Sequence, residues 1–414
     1  MTISVIGLGF VGLTTALGFA HYGKKVFGID VNKERTAMIQ NGVIPFYEPY
    51  LKEVLGKTLN KTFFLTDDIE KAVGESDCIF FCVGTPYGEH GQADLRYLFA
   101  AIDSTLRAIC DKKFRVLVVK STVPPSTTSE KVVPYIKEKY AGLISQIGVA
   151  NNPEFLREGH CWEDFIHADR IVLGCEDEAS AQVLRELYSD FQSPVFVVSR
   201  NTAEFIKYLS NTLLATMISF SNEMSLAADQ IGQIDISGAF RILHMDKRWN
   251  HSQMASYVYP GCGYGGSCLP KDTNAFYAQT KEKGFEPQIL KNVIALNERM
   301  PYYIAQKIIR RAAKHEKIGI LGLSFKPFTD DVRGTPAAKV IDELIKADYR
   351  NIYAYDPFAM KTFQECYAYN VTYQNSLEEL YETADIIVIT TAWPEFKKVS
   401  QLGQKPIVDC RYML

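Results

Sequence analysis

Residues 7–12 read Gly7-Leu8-Gly9-Phe10-Val11-Gly12, directly after an apolar run at 3–6 and directly before a stretch with helical patterning; a second apolar run at 26–29 ends on Asp30. A strand that runs through two closely spaced glycines into a helix brings backbone N–H groups and the partial positive charge of a helix N-terminus to one point, where a pyrophosphate is held. A carboxylate at the end of the following strand accepts from ribose hydroxyls. The stretch therefore predicts a dinucleotide-binding βαβ unit, the alternative being a tight βα turn without a ligand. Asp30 repels a 2′-phosphate and is followed by Val31 and Asn32 rather than arginine. NAD is thus expected over NADP, with Lys33 as a further cofactor contact.

Outward from this turn the same rhythm continues. Short apolar runs at 78–83, 116–119, 147–150, 171–173 and 195–198 alternate with helical patterns, as in a buried parallel sheet with crossover helices. From Asn201, which can cap a helix with Glu204 three residues on, a helical pattern runs without Pro or Gly as far as Gly232. That length suits a spine between domains, and Ile206, Leu209, Leu213, Met217 and Phe220 form an apolar stripe suited to a neighbour or a second subunit. The strand rhythm restarts at 318–323, 352–355, 386–389 and 407–408. The expected fold class is α/β: two Rossmann-like parallel-sheet domains joined by a long central helix, divided as 1–199, 200–300 and 301–414.

The bulk composition agrees with this division. A chain of 414 residues exceeds what one hydrophobic core supports, and 47% hydrophobic with 22% charged residues is an ordinary globular balance. The formal net charge is -3, with Lys and Arg scattered, which argues against nucleic-acid and anionic-membrane partners; any phosphate must be met locally. The nine cysteines show no zinc-type or thioredoxin-type pairing, so no metal site is expected and the thiols read as reduced and cytoplasmic. No basic leader and no apolar stretch of about 18 residues point to a secreted or membrane-spanning chain.

Several segments carry candidate chemistry. Gly265-Gly266-Ser267-Cys268-Leu269-Pro270-Lys271-Asp272 places Cys268 just ahead of a helix whose first turn holds Pro270. A thiol there is acidified by the helix dipole and by Lys271, which makes Cys268 a candidate nucleophile; the alternative is a small buried hydrophobe. Asp272, four residues later, falls on the same side. Lys207 and Asn211, with Glu204, share one face of the long helix and either hold an oxyanion or form an exposed polar stripe. Lys120-Ser121-Thr122-Val123-Pro124-Pro125 and Asn152-Pro153-Glu154-Phe155-Leu156-Arg157-Glu158 lie beyond the carboxyl ends of strands, where such sheets bind ligands. Spacing leaves Glu154 and Glu158 open as acid–base groups or as caps. Ser324-Phe325-Lys326 and Asp331-Val332-Arg333 follow the first strand of the second unit, where a cation replaces the glycine of a dinucleotide site. Lys326 suits a lone nucleotide phosphate, unless the segment is simply an exposed basic loop.

Taken together, residues 7–12, Val83-Gly84-Thr85-Pro86, 121–124, 152–158, 204–211, 265–272 and 325–333 resemble the UDP-glucose/GDP-mannose dehydrogenase family, in order and across nearly the whole chain. The resemblance implies an NAD-binding domain at 1–199, a central dimerisation region carrying the cysteine loop at 200–300, and a domain for the nucleotide sugar at 301–414, in a homodimer joined through the central helix. It implies NAD-dependent four-electron oxidation of the C6 hydroxyl of a nucleotide sugar to a carboxylate, a product class used in polysaccharide biosynthesis. In that scheme Asp272, through water and with Lys207, takes the hydroxyl proton. Cys268 attacks the aldehyde, Lys207 and Asn211 stabilise the thiohemiacetal oxyanion, and Glu154 is the base for thioester hydrolysis, with Thr122 placing the water. Gly7, Gly9, Phe10, Val11, Gly12, Asp30, Lys33, Thr85, Thr122, Glu158 and Arg333 would surround NAD. Phe155, Leu156, Arg157, Glu158, Lys207, Asn211, Tyr257, Gly261 and Lys326 would line the substrate.

One departure bears on the substrate. Where the UDP-glucose branch carries Arg-Ile-Gly upstream of the cysteine, this chain has His251-Ser252-Gln253. The segments 257–261 and 323–326 are similar to GDP-mannose enzymes as well, and Pro270-Lys271-Asp272 argues against the acetamido-sugar branch. UDP-glucose is the expected substrate, with GDP-mannose the alternative. A two-electron hydroxyacid dehydrogenase and a non-catalytic sensor are the competing classes.

Overall fold

The structure, a computed structural model, describes residues 1–246, 259–284 and 286–414. The chain divides into two compact units, Met1–Leu209 and Ser210–Leu414.

The first unit is built on an eight-stranded sheet in the order β3-β2-β1-β4-β5-β6-β7-β8. Its strands are β1 (Thr2–Ile6), β2 (Lys25–Ile29), β3 (Phe63–Leu65), β4 (Cys78–Phe81), β5 (Arg115–Val119), β6 (Ile147–Asn151), β7 (Ile171–Gly174) and β8 (Val195–Val198). Strands β4 and β5 are buried along their whole length, and such strands read as continuous apolar runs rather than alternating ones. Strand β3 is only three residues long and leaves no pattern to read. One junction corrects the all-parallel expectation: β6 and β7 meet antiparallel, with Asn151 opposite Gly174. Every residue from 12 to 20 of the helix Phe10–His21 is buried, because the sheet covers one side and the helices Leu51–Thr58 and Cys161–Ile166 the other.

The second unit carries an all-parallel sheet in the order β11-β10-β9-β12-β13, formed by β9 (Ile318–Leu321), β10 (Ile352–Tyr355), β11 (Thr372–Tyr373), β12 (Ile386–Ile389) and β13 (Ile407–Asp409). Its first turn repeats that of the first unit. Gly7 N–H donates to Ile29 C=O at 2.8 Å and Gly322 N–H to Tyr355 C=O at 2.9 Å. Leu8 N–H donates to Asp30 at 2.7 Å and Leu323 N–H to Asp356 at 2.7 Å. The halves diverge just beyond. The first chain enters its helix at Phe10, whereas the second runs from Ser324 to Thr335 before its helix starts at Pro336. That excursion displaces the helix N-terminus from the turn and carries Lys326 and Arg333 instead.

The long helix spans Arg200–Ile231, central in the chain. Its cap is not Asn201, which lies inside it. Ser199 caps it: the Ser199 hydroxyl accepts from Thr202 N–H at 3.2 Å, and the Ser199 carbonyl accepts from Ala203 N–H at 2.9 Å. Glu204, read as half of a capping pair, is buried and bonded elsewhere. Among the described residues no helix is long and apolar enough to cross a membrane.

Candidate active site

In the first unit the turn at 7–12 has the shape a pyrophosphate needs. A Cβ on Gly12 would stand 1.7 Å from the Gly7 carbonyl oxygen, so only glycine lets the helix pack onto the turn. A Cβ on Gly9 would meet nothing within 4 Å, so the space in front of the helix is open. Gly9 gives the helix no side-chain cap and its first turn holds no acidic residue, which leaves the N-terminal N–H groups and their partial charge for an anion. Phe10 and Val11 are half-buried at that end, and the Phe10 ring stacks on Phe46 at 4.0 Å. Asp30 accepts from Leu8 N–H, from Asn32 N–H at 2.8 Å and from the Arg35 guanidinium at 2.9 Å. Those donors leave roughly one of its four lone-pair positions for a ribose hydroxyl. Lys33 is exposed and pairs with Asp67 at 3.5 Å, so the cation beside Asp30 is Arg35, five positions on, rather than Lys33.

Beyond β4 and β5, the Thr85 hydroxyl donates to the Thr122 carbonyl at 2.8 Å, and Ser121 Oγ to the Val83 carbonyl at 2.6 Å, which locks the two loops together. The loop 152–158 is anchored at both ends. Asn152 Oδ1 accepts from Lys120 Nζ at 2.7 Å and from Tyr188 OH at 2.5 Å, while its Nδ2 donates to the Val172 carbonyl at 2.9 Å. At the far end Gly159 N–H donates to buried Glu48 at 2.9 Å. Between these anchors lies a buried ion pair: Lys207 Nζ stands 2.8 Å from Glu154 Oε1, and Leu156 N–H donates to Glu154 Oε2 at 2.7 Å. Burial pushes the Glu154 carboxyl up, but the Lys207 ammonium beside it, the Leu156 N–H and Lys120 outweigh burial and hold it below the ordinary carboxylate range. Burial brings the Lys120 ammonium down to about 8. The Phe155 ring lies under Arg170 at 4.1 Å, with Lys207 at 5.8 Å. Leu156 and Glu158 are half-buried. The Arg157 guanidinium is engaged by Asp164 at 2.6 Å, on the helix Cys161–Ile166 that follows the loop.

In the second unit Cys268 is the first residue of the helix Cys268–Glu282, rather than the residue before it, and it is exposed. No acidic residue occupies the first turn and Ser267 supplies no side-chain cap, so the helix dipole acts on the thiol. Asp272, one turn on, is buried and bonded on both oxygens: Asn211 Nδ2 donates to Oδ2 and Lys271 Nζ to Oδ1 at 2.6 Å. Lys271 therefore serves Asp272, a correction to its expected place beside the thiol. The preceding glycines press the cysteine loop onto the 325–334 segment. A Cβ on Gly265 would stand 2.5 Å from the Gly334 carbonyl oxygen, and Gly266, at φ +79°, fits against the Phe325 ring and donates to the Arg333 carbonyl at 2.8 Å. That contact brings two sequence-distant candidate segments together. Lys326 is half-buried beside Phe325, and Arg333 is paired with Asp331 at 2.6 Å. Gly261 is buried and donates to Asn222 at 2.5 Å. Tyr257 and 251–253 lie outside the described residues.

The polar face of the long helix is thus buried, not an exposed stripe: Glu204, Lys207 and Asn211 are each under a tenth exposed, and each has a partner from another element. Sequence reasoning missed Arg35, the Lys120–Asn152 tie and Asn297, which holds Tyr264 by two hydrogen bonds at 2.7 and 3.0 Å. The signal for Lys120 and Asn152 was present, since each opens a segment already singled out, but only the fold shows them meeting.

A dinucleotide turn on one α/β unit, and a second unit whose matching turn opens into a loop carrying Lys326 and an Arg333–Asp331 pair, fit one class: an NAD-dependent dehydrogenase acting on a nucleotide-linked substrate. The chain belongs to the UDP-glucose/GDP-mannose dehydrogenase family, matching its NAD binding domain over residues 1–192, its central domain over 201–299 and its UDP binding domain over 319–414. It is similar to the UDP-glucose 6-dehydrogenase YwqF of Bacillus subtilis, at 37% identity over 99% of this chain and 91% of that protein. Its fold matches a UDP-glucose dehydrogenase from the archaeon Pyrobaculum islandicum with a TM-score of 0.93 and 39% identity, over 99% and 94% of the two chains. A GDP-mannose dehydrogenase from Pseudomonas aeruginosa matches with a TM-score of 0.57 and 29% identity, over 99% and 96%. The protein is an NAD-dependent nucleotide-sugar dehydrogenase.

Proposed function

We propose that the protein oxidises UDP-glucose to UDP-glucuronate in the cytoplasm, as a homodimer, through a thiohemiacetal and a thioester on Cys268. The observation that carries the substrate is the full-length likeness to UDP-glucose dehydrogenases, closer in fold than to the GDP-mannose enzyme. The nucleophile rests on a thiol at the uncapped start of a helix.

NAD, when bound, accepts the electron pair released at each of the two oxidations. Gly7, Gly9, Gly12 and the helix they open hold its pyrophosphate, and Asp30 with Arg35 its ribose, while Thr85, Thr122, Glu158 and Arg333 complete its surroundings. Asp272, steadied by Asn211 and Lys271, draws the C6 hydroxyl proton through water, with Lys207. Cys268 adds to the aldehyde, and the oxyanion so formed is met by the Lys207 ammonium and the Asn211 amide. Glu154 then takes a proton from the water that cleaves the thioester. Its low proton affinity beside Lys207 keeps it ionised for that task. Phe155, Leu156, Gly261 and Lys326 bind the nucleotide sugar. These roles fall across a cofactor domain at 1–199, a central region at 200–300 and a sugar-nucleotide domain at 301–414.

The test is NADH stoichiometry with limiting UDP-glucose or GDP-mannose. Two NADH per UDP-glucose, and none from GDP-mannose, is the expected result; the reverse would keep the mechanism and move the substrate. One NADH per sugar would favour a two-electron dehydrogenase.

The dimer rests on the outer face of the long helix, where Phe205, Leu209, Leu213, Phe220 and Met224 are all exposed, Leu209 by 53% and Leu213 by 48%. An exposed apolar stripe of this kind suits cover by a second copy of the chain. Leu213→Glu should therefore shift the protein from dimer to monomer in sedimentation; a parent that sediments as a monomer would refute this.

A further inference from the structure

Glu204 stands one turn before Lys207 on the long helix, 3% exposed, and takes no part in the chemistry above. Its Oε1 accepts from the Thr128 backbone N–H at 2.9 Å and from the Thr128 hydroxyl at 2.5 Å. Its Oε2 is buried and meets no hydrogen-bond partner. Asn151 and the Ser126 backbone lie near the carboxyl, but neither reaches Oε2 in hydrogen-bond geometry. Asn151 Oδ1 is likewise buried without a donor, its Nδ2 being given to the Arg200 carbonyl at 3.1 Å. Glu204, Asn151, Ser121, Thr122 and Lys207 line one cleft. A buried carboxylate oxygen without a donor is costly, and the cost disappears once that oxygen carries a proton or meets water.

We propose that Glu204 is a proton relay for the Lys207–Glu154 pair, taking protons from Lys207 through water in this cleft. The proposal rests on the four-electron reading, because oxidation of an alcohol to a carboxylate releases protons that a buried pair must pass on. In the relay step a Lys207 N–H bond breaks and a Glu204 Oε2–H bond forms, with an O–H of the intervening water exchanged. Ammonium plus carboxylate become amine plus carboxylic acid, with no change in oxidation state. The amine is then ready to accept the next proton. Glu204 acts through Lys207 and is a positioning residue rather than a catalytic one.

Burial pushes the Glu204 carboxyl up to about 7, against the opposing effect of Thr128, Asn151 and the Ser126 backbone, which suits proton exchange near neutrality. The charged groups on the elements packed around it are Lys207 with Glu154, Lys120 at the end of β5, and Arg200 on its own helix. Arg200 is taken up by the Val149 carbonyl at 2.9 Å and by Ser129 Oγ at 3.3 Å. Glu130 and Lys131, on the Thr128 segment, are exposed.

Glu204→Gln tests the relay, because an amide oxygen still accepts both Thr128 donors but takes up no proton. Expected are a fall in kcat of roughly 10- to 100-fold, KM for both substrates within about twofold, a larger solvent deuterium isotope effect, and partial recovery in Glu204→Asp. A Glu204→Gln variant with the parent's kcat, pH profile and isotope effect would overturn the relay. If that variant does not fold, carbon-13 titration of the parent's glutamate carboxyls decides: a resonance titrating near neutrality supports the relay, and its absence overturns it. A parent that forms no NADH from either nucleotide sugar would sink the functional reading instead, and the titration would still decide whether Glu204 exchanges its proton near neutrality.

Discussion

Cys268→Ser should stop carboxylate formation, lowering steady-state turnover of UDP-glucose by roughly 10³-fold or more. The thiol sits at the first position of an uncapped helix with no acidic side chain in the first turn, where a developing thiolate is favoured. A serine hydroxyl at the same place stays protonated and is a far weaker nucleophile toward the aldehyde. The first oxidation makes no use of the sulfur, so the variant should still release about one NADH per active site in a rapid phase before it stalls. Rapid-mixing absorbance at the NADH band, with mass spectrometry for a bound adduct, measures both. Sustained turnover at the parent rate would remove Cys268 from the mechanism and favour a simple two-electron dehydrogenase.

Lys207→Met should produce the largest combined loss of stability and activity. Lys207 and Glu154 are both nearly fully buried and 2.8 Å apart, so removing the ammonium leaves a buried carboxylate without its main counter-charge. Breaking a buried pair from one side costs about 3–5 kcal/mol. The pH dependence carries the sign. In the parent, Glu154 is held below its ordinary value, so its contribution is present above the unfolded value of 4.5 and is lost as pH falls through the lower folded value. In the variant, burial acts with less opposition and raises the carboxyl, so stability should be lost as pH rises toward neutrality. Thermal melts across that range should show a slope of opposite sign in Lys207→Met, and Glu154→Gln added to it should flatten the slope. Activity should fall by at least about 100-fold, because the oxyanion donor, the counter-charge of Glu154 and the relay partner are removed together. A Lys207→Met melt profile parallel to the parent's would show that the pair does not control Glu154.

How much of this was legible in the sequence follows from the range of the interactions. The turn at 7–12, its strand and its helix could be read because glycine spacing, apolar runs and a helix start are local, and they sit in the chain as they sit in space. The long helix and both sheets were legible for the same reason, apart from the three-residue β3, the two-residue β11 and the antiparallel β6–β7 junction, where too few residues carry a pattern.

The partners of the charged groups were not legible, because each is chosen by contacts far along the chain. Glu204 is paired with Thr128, 76 residues away, and Asp272 with Asn211, 61 away. Lys207 finds Glu154 across the strand-end loop, and Arg35 rather than Lys33 reaches Asp30. Sequence by itself determined the class of fold, the dinucleotide turn and the set of side chains proposed for the chemistry. Only the tertiary structure decided which face of the long helix is buried and which carboxylate each cation neutralises, because burial and pairing depend on what packs opposite, and that is a property of the folded chain rather than of any segment in it.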